Sequence, residues 1–228
     1  MKERPVIFNS EMVRAILDGR KTQTRRVINP QPTLSERTGF NWKGAAYGIG
    51  STYRDTIRNF SNCFKTCPFG QVSDRLWVRE TFAVLGNEDG CPIDWNGNLI
   101  KGDEKQAARI YKASCWQEPG NYGLWSIPDR DTQYEGTWRP SIHMPRWASR
   151  ITLEITAVRV ERLNDISEED AKAEGVAPSQ HIITPPEALY RVGFLKLWQS
   201  IYGEESWRVN PWVWVIEFRR VGGSDASK

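Results

Sequence analysis

Regular apolar patterns occupy only three parts of this chain, and their placement constrains the fold more than any other feature of the sequence. They lie within residues 6–28, 75–79 and 151–218. Between them, residues 29 to about 73 are rich in Pro, Gly, Asn and Ser, and residues from about 82 to 145 carry turn signals and short strand-like runs. We therefore predict one α+β domain over residues 1–221, interrupted by two long insertions at about 29–73 and 82–145, with a disordered tail at 222–228.

The first patterned part predicts a strand, a helix and a second strand. Val6-Ile7-Phe8 is a short apolar strand, and Ser10 is a helix N-cap because its hydroxyl can accept a hydrogen bond from a first-turn amide. Gly19 is the expected end of the helix, since glycine readily takes the left-handed conformation found there. Residues 22–28 then have an extended pattern.

The C-terminal patterned part predicts two strands and two helices. Residues 151–160 alternate apolar and polar side chains with a change of phase midway, which indicates a strand with a bulge or a bend. A short helix at 168–174 follows a serine cap, and a longer helix is expected to begin after Thr184. Residues 212–218 carry apolar side chains on both faces, which predicts a closing strand buried on both sides.

Composition and charge favour a globular protein outside the membrane. The chain is 39% hydrophobic and 26% charged, and it has no apolar run long enough to cross a bilayer. The N-terminus lacks the apolar core of a signal peptide, so we expect a cytoplasmic protein with no membrane partner. The first 60 residues hold eleven Lys and Arg against five Asp and Glu. Such a segment suits contact with phosphate groups, and a solvated basic face has the same composition.

The cysteines and histidines form no familiar metal-binding pattern. Cys63 and Cys67 make one C-x3-C pair, while Cys91 and Cys115 stand alone. Because this spacing matches neither a zinc finger nor a zinc ribbon, we expect reduced thiols, no bound metal and no cofactor. His143 could act as an acid or a base near neutral pH, but a lone histidine is more often structural.

The turn after the first helix carries the side chains best suited to chemistry. The segment Gly19-Arg20-Lys21-Thr22-Gln23-Thr24-Arg25-Arg26 places a lysine and a threonine hydroxyl among three arginines. A lysine can act as a base only if burial or neighbouring cations lower its pKa, and Arg20, Arg25 and Arg26 could supply those cations. The same spacing suits a basic turn that leads into a surface strand, so spacing alone leaves both interpretations open.

The pattern Gly19-x-Lys21-x-x-Thr24-x-Arg26, after a short strand and a helix, resembles the signature of the ASCH superfamily. Asp74-x-Leu76-x-Val78 resembles a strand entry of that family, although Ser73 stands where glycine is usual. The other similar segments are residues 139–147, 166–174, 200–203 and 215–218. The two insertions make the chain similar to the longer ASCH proteins of phages and prophages.

The resemblance implies a PUA-like fold, which is a mixed, mostly antiparallel β-barrel flanked by helices, and it implies a site. Small bacterial members are amidohydrolases that remove the acetyl group of N4-acetylcytidine with a Lys, a Thr and a Glu. Those positions fall on Lys21, Thr24 and Glu174. Thr24 would attack the acyl carbon, Lys21 would act as base, and Glu174 would orient Lys21 or carry the proton, with Arg26 near the developing negative charge. Other members are nucleic-acid-binding modules or ribonucleases, so a non-catalytic RNA- or DNA-binding module and a metal-independent ribonuclease remain alternatives.

A second candidate binding segment is Arg146-Trp147-Ala148-Ser149-Arg150, which places an indole between two cations. An indole can stack on a base, and Arg146 and Arg150 could meet phosphates together with the arginines near Lys21. An arginine packed on the tryptophan as a structural pair is an equally simple interpretation. We therefore predict a modified nucleoside or a single-stranded nucleic acid as the partner, held in a cleft with arginines at its rim.

Overall fold

Strands from both ends of the chain meet in one sheet in a computed structural model that describes residues 1–62, 67–115 and 136–221. The strands are β1 (Glu3–Ile7), β2 (Gln23–Val27), β3 (Thr33–Ser35), β4 (Gly39–Trp42), β5 (Ala45–Ala46), β6 (Arg75–Arg79), β7 (Phe82–Val84), β8 (Arg109–Tyr111), β9 (Thr152–Arg162) and β10 (Trp212–Arg220). The helices are α1 (Ser10–Leu17), α2 (Tyr53–Ser61), α3 (Glu168–Ala173), α4 (Leu189–Tyr202) and α5 (Glu205–Arg208). The predicted tail at 222–228 and Cys63 lie outside the described residues.

The described strands form three sheets. The largest has the order β1-β6-β9-β10-β2, and its strands are the ones that carry the N-terminal and C-terminal apolar patterns. Strands β3-β4-β5 and the pair β7-β8 form two smaller sheets within the predicted insertions. The α+β class is thus confirmed. None of the three sheets closes into a barrel over the described residues, so the PUA-like barrel stays a prediction.

The chain divides into two compact units. The first comprises Met1–Lys2, Ala15–Arg75 and Glu154–Arg219, and the second comprises Glu3–Arg14, Leu76–Leu153 and Arg220–Lys228. The predicted single domain over 1–221 stays a prediction.

The first unit buries both faces of the antiparallel pair β2–β10. On one face, Val213 and Val215 pack with Phe194 and Trp198 of α4 and with Ala171 of α3. The other face is aromatic, and the ring centroids of its members lie 4.8–5.6 Å apart across Trp212–Phe40, Phe40–Phe60 and Phe60–Trp214. Several tryptophans therefore serve as core side chains, as their size favours.

Helix α4 begins later than the sequence pattern predicts. The expected start after Thr184 is replaced by a short 3₁₀ turn at Pro186–Ala188, and the α-helix starts at Leu189. The Glu168 carboxylate of α3 accepts hydrogen bonds from the backbone amides of Tyr190 (2.6 Å) and Arg191 (2.9 Å). A side chain from another helix thus satisfies first-turn amides of α4, which is a cap that local sequence cannot reveal.

The second unit is built around the β7–β8 pair. Its apolar clusters contain Ala83, Ile110 and Cys115 on one side and Phe82, Met144 and Ala148 on the other. No helix among the described residues is both long and apolar enough to cross a membrane.

Candidate active site

Lys21 is held in place by the backbone on both of its sides. Helix α1 ends at Leu17, and Gly19, with a φ of +74°, turns the chain back. The Lys21 amide then donates to the carbonyl of Ala15 at 2.9 Å, and the Thr22 amide donates to the carbonyl of Ala173 at 2.8 Å. These bonds tie the lysine to the end of α1 and to the end of α3.

Glu174 meets Lys21 at the C-terminus of α3. The two residues form an isolated antiparallel bridge, and the Lys21 ammonium nitrogen lies 2.8 Å from Glu174 Oε2 and 2.9 Å from the Glu174 carbonyl oxygen. The two side chains are 0% and 3% exposed. The approach depends on Gly175, because a Cβ added there would lie 2.7 Å from Lys21 Cβ.

The surroundings of Lys21 make its ammonium group easier to deprotonate than that of an exposed lysine. Burial lowers the pKa of Lys21 from its ordinary value, the Glu174 carboxylate acts in the opposite direction, and the charges of Arg26 and Arg25 add to the lowering. A neutral lysine keeps two N–H donors, enough for Glu174 Oε2 and the Glu174 carbonyl oxygen, and it has a lone pair that can accept a proton. The pair therefore has the composition of a general base held by a carboxylate.

Arg25 extends this pair into a buried ionic network. Its guanidinium, with a side chain that is 0% exposed, lies 3.1 Å from Glu174 Oε1, 2.9 Å from Glu161 Oε2 and 3.0 Å from Asp170 Oδ2. Arg159 of β9 contacts Glu161 and Asp170 in turn, and it also pairs with Glu217 of β10. The network places Arg25 among carboxylates rather than at an exposed rim.

Thr24 lies on the other face of β2. Gln23 and Arg25 both contact Asp170, and side chains alternate along a strand, so the Thr24 side chain points to the opposite side. Thr24 is buried and lies opposite Ile216 of β10. The structure thus brings Lys21 and Glu174 into contact and places Thr24 on the face of β2 opposite Arg25, the partner of Glu174.

The two other arginines predicted near Lys21 differ in their surroundings. Arg20 is exposed, and its guanidinium contacts Asp18 at 2.9 Å and the carbonyl of Gly175 at 3.0 Å. Arg26 is half-buried on β2, opposite Trp214. Its position on the Thr24 face follows from the same alternation.

The predicted binding segment 146–150 belongs to the second unit and is engaged in local contacts. Arg150 forms a two-pronged ion pair with Glu80, with both N–O distances 3.0 Å, and its guanidinium carbon lies 4.1 Å from the centre of the Tyr111 ring. Arg146 pairs with Glu3 at 2.9 Å. Trp147 is half-buried, with the guanidinium of Arg109 at 5.3 Å from its ring centre. The arginine–tryptophan pair is therefore made with Arg109, which the sequence did not suggest.

The sequence predicted Glu174 but not Glu161, Asp170 or Glu217, although one signal was present. Arg159 and Glu161 alternate with Val158 and Val160 after the change of phase in β9, which places two opposite charges on one face of a strand. The sequence around Asp170 gives no comparable signal, because Asp170 lies in α3 and its arginine partners lie in β2 and β9.

The described residues contain no group of three or more side chains arranged to hold a metal ion. Cys91 and Cys115 are free thiols, and burial raises the pKa of the Cys115 thiol to about 11. His143 is exposed and has no part in the Lys21 cluster.

Comparison of the chain with protein-family models, with curated proteins and with solved structures finds no match.

Proposed function

We propose that this chain is an ASCH-type hydrolase that removes an acyl group from a modified nucleoside, with Lys21 as its general base. The observation that carries the proposal is the buried contact between Lys21 and Glu174, at 2.8 Å, in surroundings that lower the pKa of the lysine. A buried lysine with a lowered pKa and a specific carboxylate partner is typical of a catalytic site. The amidohydrolase resemblance assigns these same two residues.

The proposed chemistry follows the resemblance. Neutral Lys21 takes the proton of the Thr24 hydroxyl as its oxygen attacks the acyl carbon, and the exocyclic amine of the base leaves with that proton. Water then hydrolyses the acyl-threonine ester to release the acid and restore the hydroxyl. Glu174 holds the Lys21 nitrogen through both steps. Thr24 must come within reach of Lys21 for this route, which makes Thr24 the residue that the test must probe hardest.

The proposal includes the PUA-like fold of the ASCH superfamily. In its support, β1, β2, β6 and β10, which carry or border the family-like segments, join one sheet with β9, while strands within both insertions form small sheets of their own. Ser73, which replaces the usual glycine, has a φ of +73°, the left-handed conformation that favours glycine. The turn conformation thus agrees with the family pattern although the residue differs.

The ion pairs that the candidate binding arginines already make favour a free nucleoside over a nucleic-acid polymer as the substrate. Arg20, Arg25, Arg146 and Arg150 are the side chains that were expected to meet phosphates, and each of them is paired with a carboxylate. The pairs of Arg25 and Arg150 have buried carboxylates, and an arginine that gives up a buried ion pair gains less from a phosphate. We therefore rank binding to single-stranded RNA or DNA, and ribonuclease activity, below hydrolysis of a nucleoside.

The test is turnover of N4-acetylcytidine and a panel of other acylated nucleosides, followed by mass spectrometry of the deacylated product. Lys21→Met and Glu174→Gln should each lower kcat by about 10²–10⁴-fold, the usual contribution of a general base and its partner. Thr24→Val should abolish turnover and Thr24→Ser should retain part of it. Arg208→Gln, an exposed arginine in α5, is the control and should match the wild-type chain.

Two outcomes would reject the proposal: no turnover of any acylated nucleoside, or full activity in Lys21→Met. Binding of short single-stranded RNA that weakens steeply with salt, without turnover, would instead support the binding-module alternative.

A further inference from the structure

The Glu174 carboxylate is shared between two cations, one on each oxygen. Lys21 contacts Oε2 at 2.8 Å, and Arg25 contacts Oε1 at 3.1 Å. A guanidinium stays protonated in proteins, whereas a buried lysine can lose its proton. Glu174 therefore keeps a cationic partner even when Lys21 is neutral.

Arg25 is itself fixed by carboxylates. Its Nη2 lies 2.9 Å from Glu161 and 3.0 Å from Asp170, and its guanidinium carbon lies 5.9 Å from the centre of the Phe194 ring. Its Nε is buried and has no hydrogen-bond partner among the described residues. The guanidinium is thus oriented by three acidic side chains that reach it from β9 and α3.

We propose that Arg25 is a positioning residue that holds the Glu174 carboxylate in place and remains its cationic partner when Lys21 gives up its proton. A buried carboxylate without a cation is strongly unfavourable, so a lone Lys21–Glu174 pair would hold the lysine proton. With Arg25 present, loss of that proton leaves a neutral Arg25–Glu174 pair. The catalytic consequence rests on the proposed function, but the charge relation between the three residues does not.

Every charged group of the network bears on this relation. Arg25 and Arg26 from β2 act on Lys21 through their charge. Asp170 from α3 and Glu161 from β9 contact Arg25, and Arg159 from β9 links these two carboxylates to Glu217 of β10. Asp170 and Glu161 neutralise part of the Arg25 charge. Arg25 differs from the other charged residues that the structure describes because its guanidinium donates to Glu174 Oε1, the oxygen that Lys21 does not contact.

The test is a pH titration of Lys21 by NMR in a chain labelled with ¹³C-lysine, with its signal assigned by its absence in Lys21→Met. Arg25→Met should raise the Lys21 midpoint by about one to three pH units, since a neighbouring cation is lost and Glu174 then acts on Lys21 alone. Arg208→Met, at an exposed arginine, should leave the midpoint unchanged.

Arg25→Lys separates charge from geometry and guards against misfolding of the methionine variant. Its Lys21 midpoint should stay within about half a pH unit of the wild-type value because the charge is retained. Its kcat should fall about 10–100-fold with little change in KM, because a single ammonium cannot hold three carboxylates in place. An Arg25→Lys midpoint that rises as much as in Arg25→Met, or a midpoint that moves in neither variant, would overturn the inference.

The two proposals can fail separately. A wild-type chain that turns over no acylated nucleoside would reject the hydrolase proposal, while the titration would still decide the role of Arg25. If the enzyme is active and the Lys21 midpoint is the same in the wild-type chain and in Arg25→Met, only the positioning role of Arg25 is rejected.

Discussion

Replacing Gly175 with alanine should destabilise this protein through two separable effects. Gly175 has a φ of +79°, and an added Cβ would lie 2.7 Å from Lys21 Cβ and 2.8 Å from Ala15 Cβ. The first effect is the left-handed conformation, which disfavours any residue with a Cβ. The second is the close approach of the end of α3 to Lys21, which leaves no room for a methyl group.

The expected loss can be divided with Gly19 as a reference. Gly19 also follows a helix and has a φ of +74°, but an added Cβ would meet nothing within 4 Å. Gly19→Ala should therefore lower the free energy of unfolding by about 1 kcal/mol, the conformational part alone. Gly175→Ala carries a further cost of about 1–3 kcal/mol because the core around it must shift, giving a total loss of about 2–4 kcal/mol.

Urea denaturation of both variants, followed by tryptophan fluorescence, measures the difference directly. Each kcal/mol corresponds to about 2–4 °C in Tm for a chain of this size. Equal losses in the two variants would refute the reasoning, because they would mean that the close approach between Gly175 and Lys21 contributes nothing.

Three further predictions concern stability and reactivity. Ser73→Gly should raise the free energy of unfolding by about 0.5–1 kcal/mol in urea denaturation, because it relieves a positive φ, and a loss would contradict this. At pH 8 iodoacetamide should label the exposed Cys91 in the native protein and leave Cys115 unlabelled until urea is added. The reason is that burial raises the pKa of the Cys115 thiol to about 11. Labelling of Cys115 before urea is added, detected by mass spectrometry, would contradict this prediction. Burial alone would raise the pKa of Asp170, but the charges of Arg159 and Arg25 lower that pKa overall. The carboxylate of Asp170 therefore stabilises the fold above an unfolded pKa of about 3.9, and this stabilisation is lost as the pH falls through the lower pKa of the folded protein. Asp170→Asn should remove this part of the acid dependence, measured as the urea midpoint between neutral and acid pH, and an unchanged slope would argue against the ion pairs.

The local pattern of the sequence is enough to predict several of the elements that form the largest sheet and the helix beside Lys21. Strand β6 occupies the predicted residues, and α3 lies within its predicted range between a serine cap and a glycine stop. These features depend on side-chain periodicity and on turn residues, which act over a few positions along the chain. The motif resemblance also pairs Lys21 with Glu174, which the structure places in contact.

The other contacts of the site depend on packing between elements that are far apart in the chain. Alternation along β2 determines that Thr24 and Arg25 face opposite sides, but only the position of α3 decides which side holds the acidic residues. Arg150 is paired with Glu80, which is 70 positions away in the chain. A buried charge needs a partner of opposite sign, and that partner is supplied by whichever element folds against it. The residue types therefore indicate that the buried arginines and lysine need carboxylate partners, while the tertiary structure alone decides which carboxylates these are.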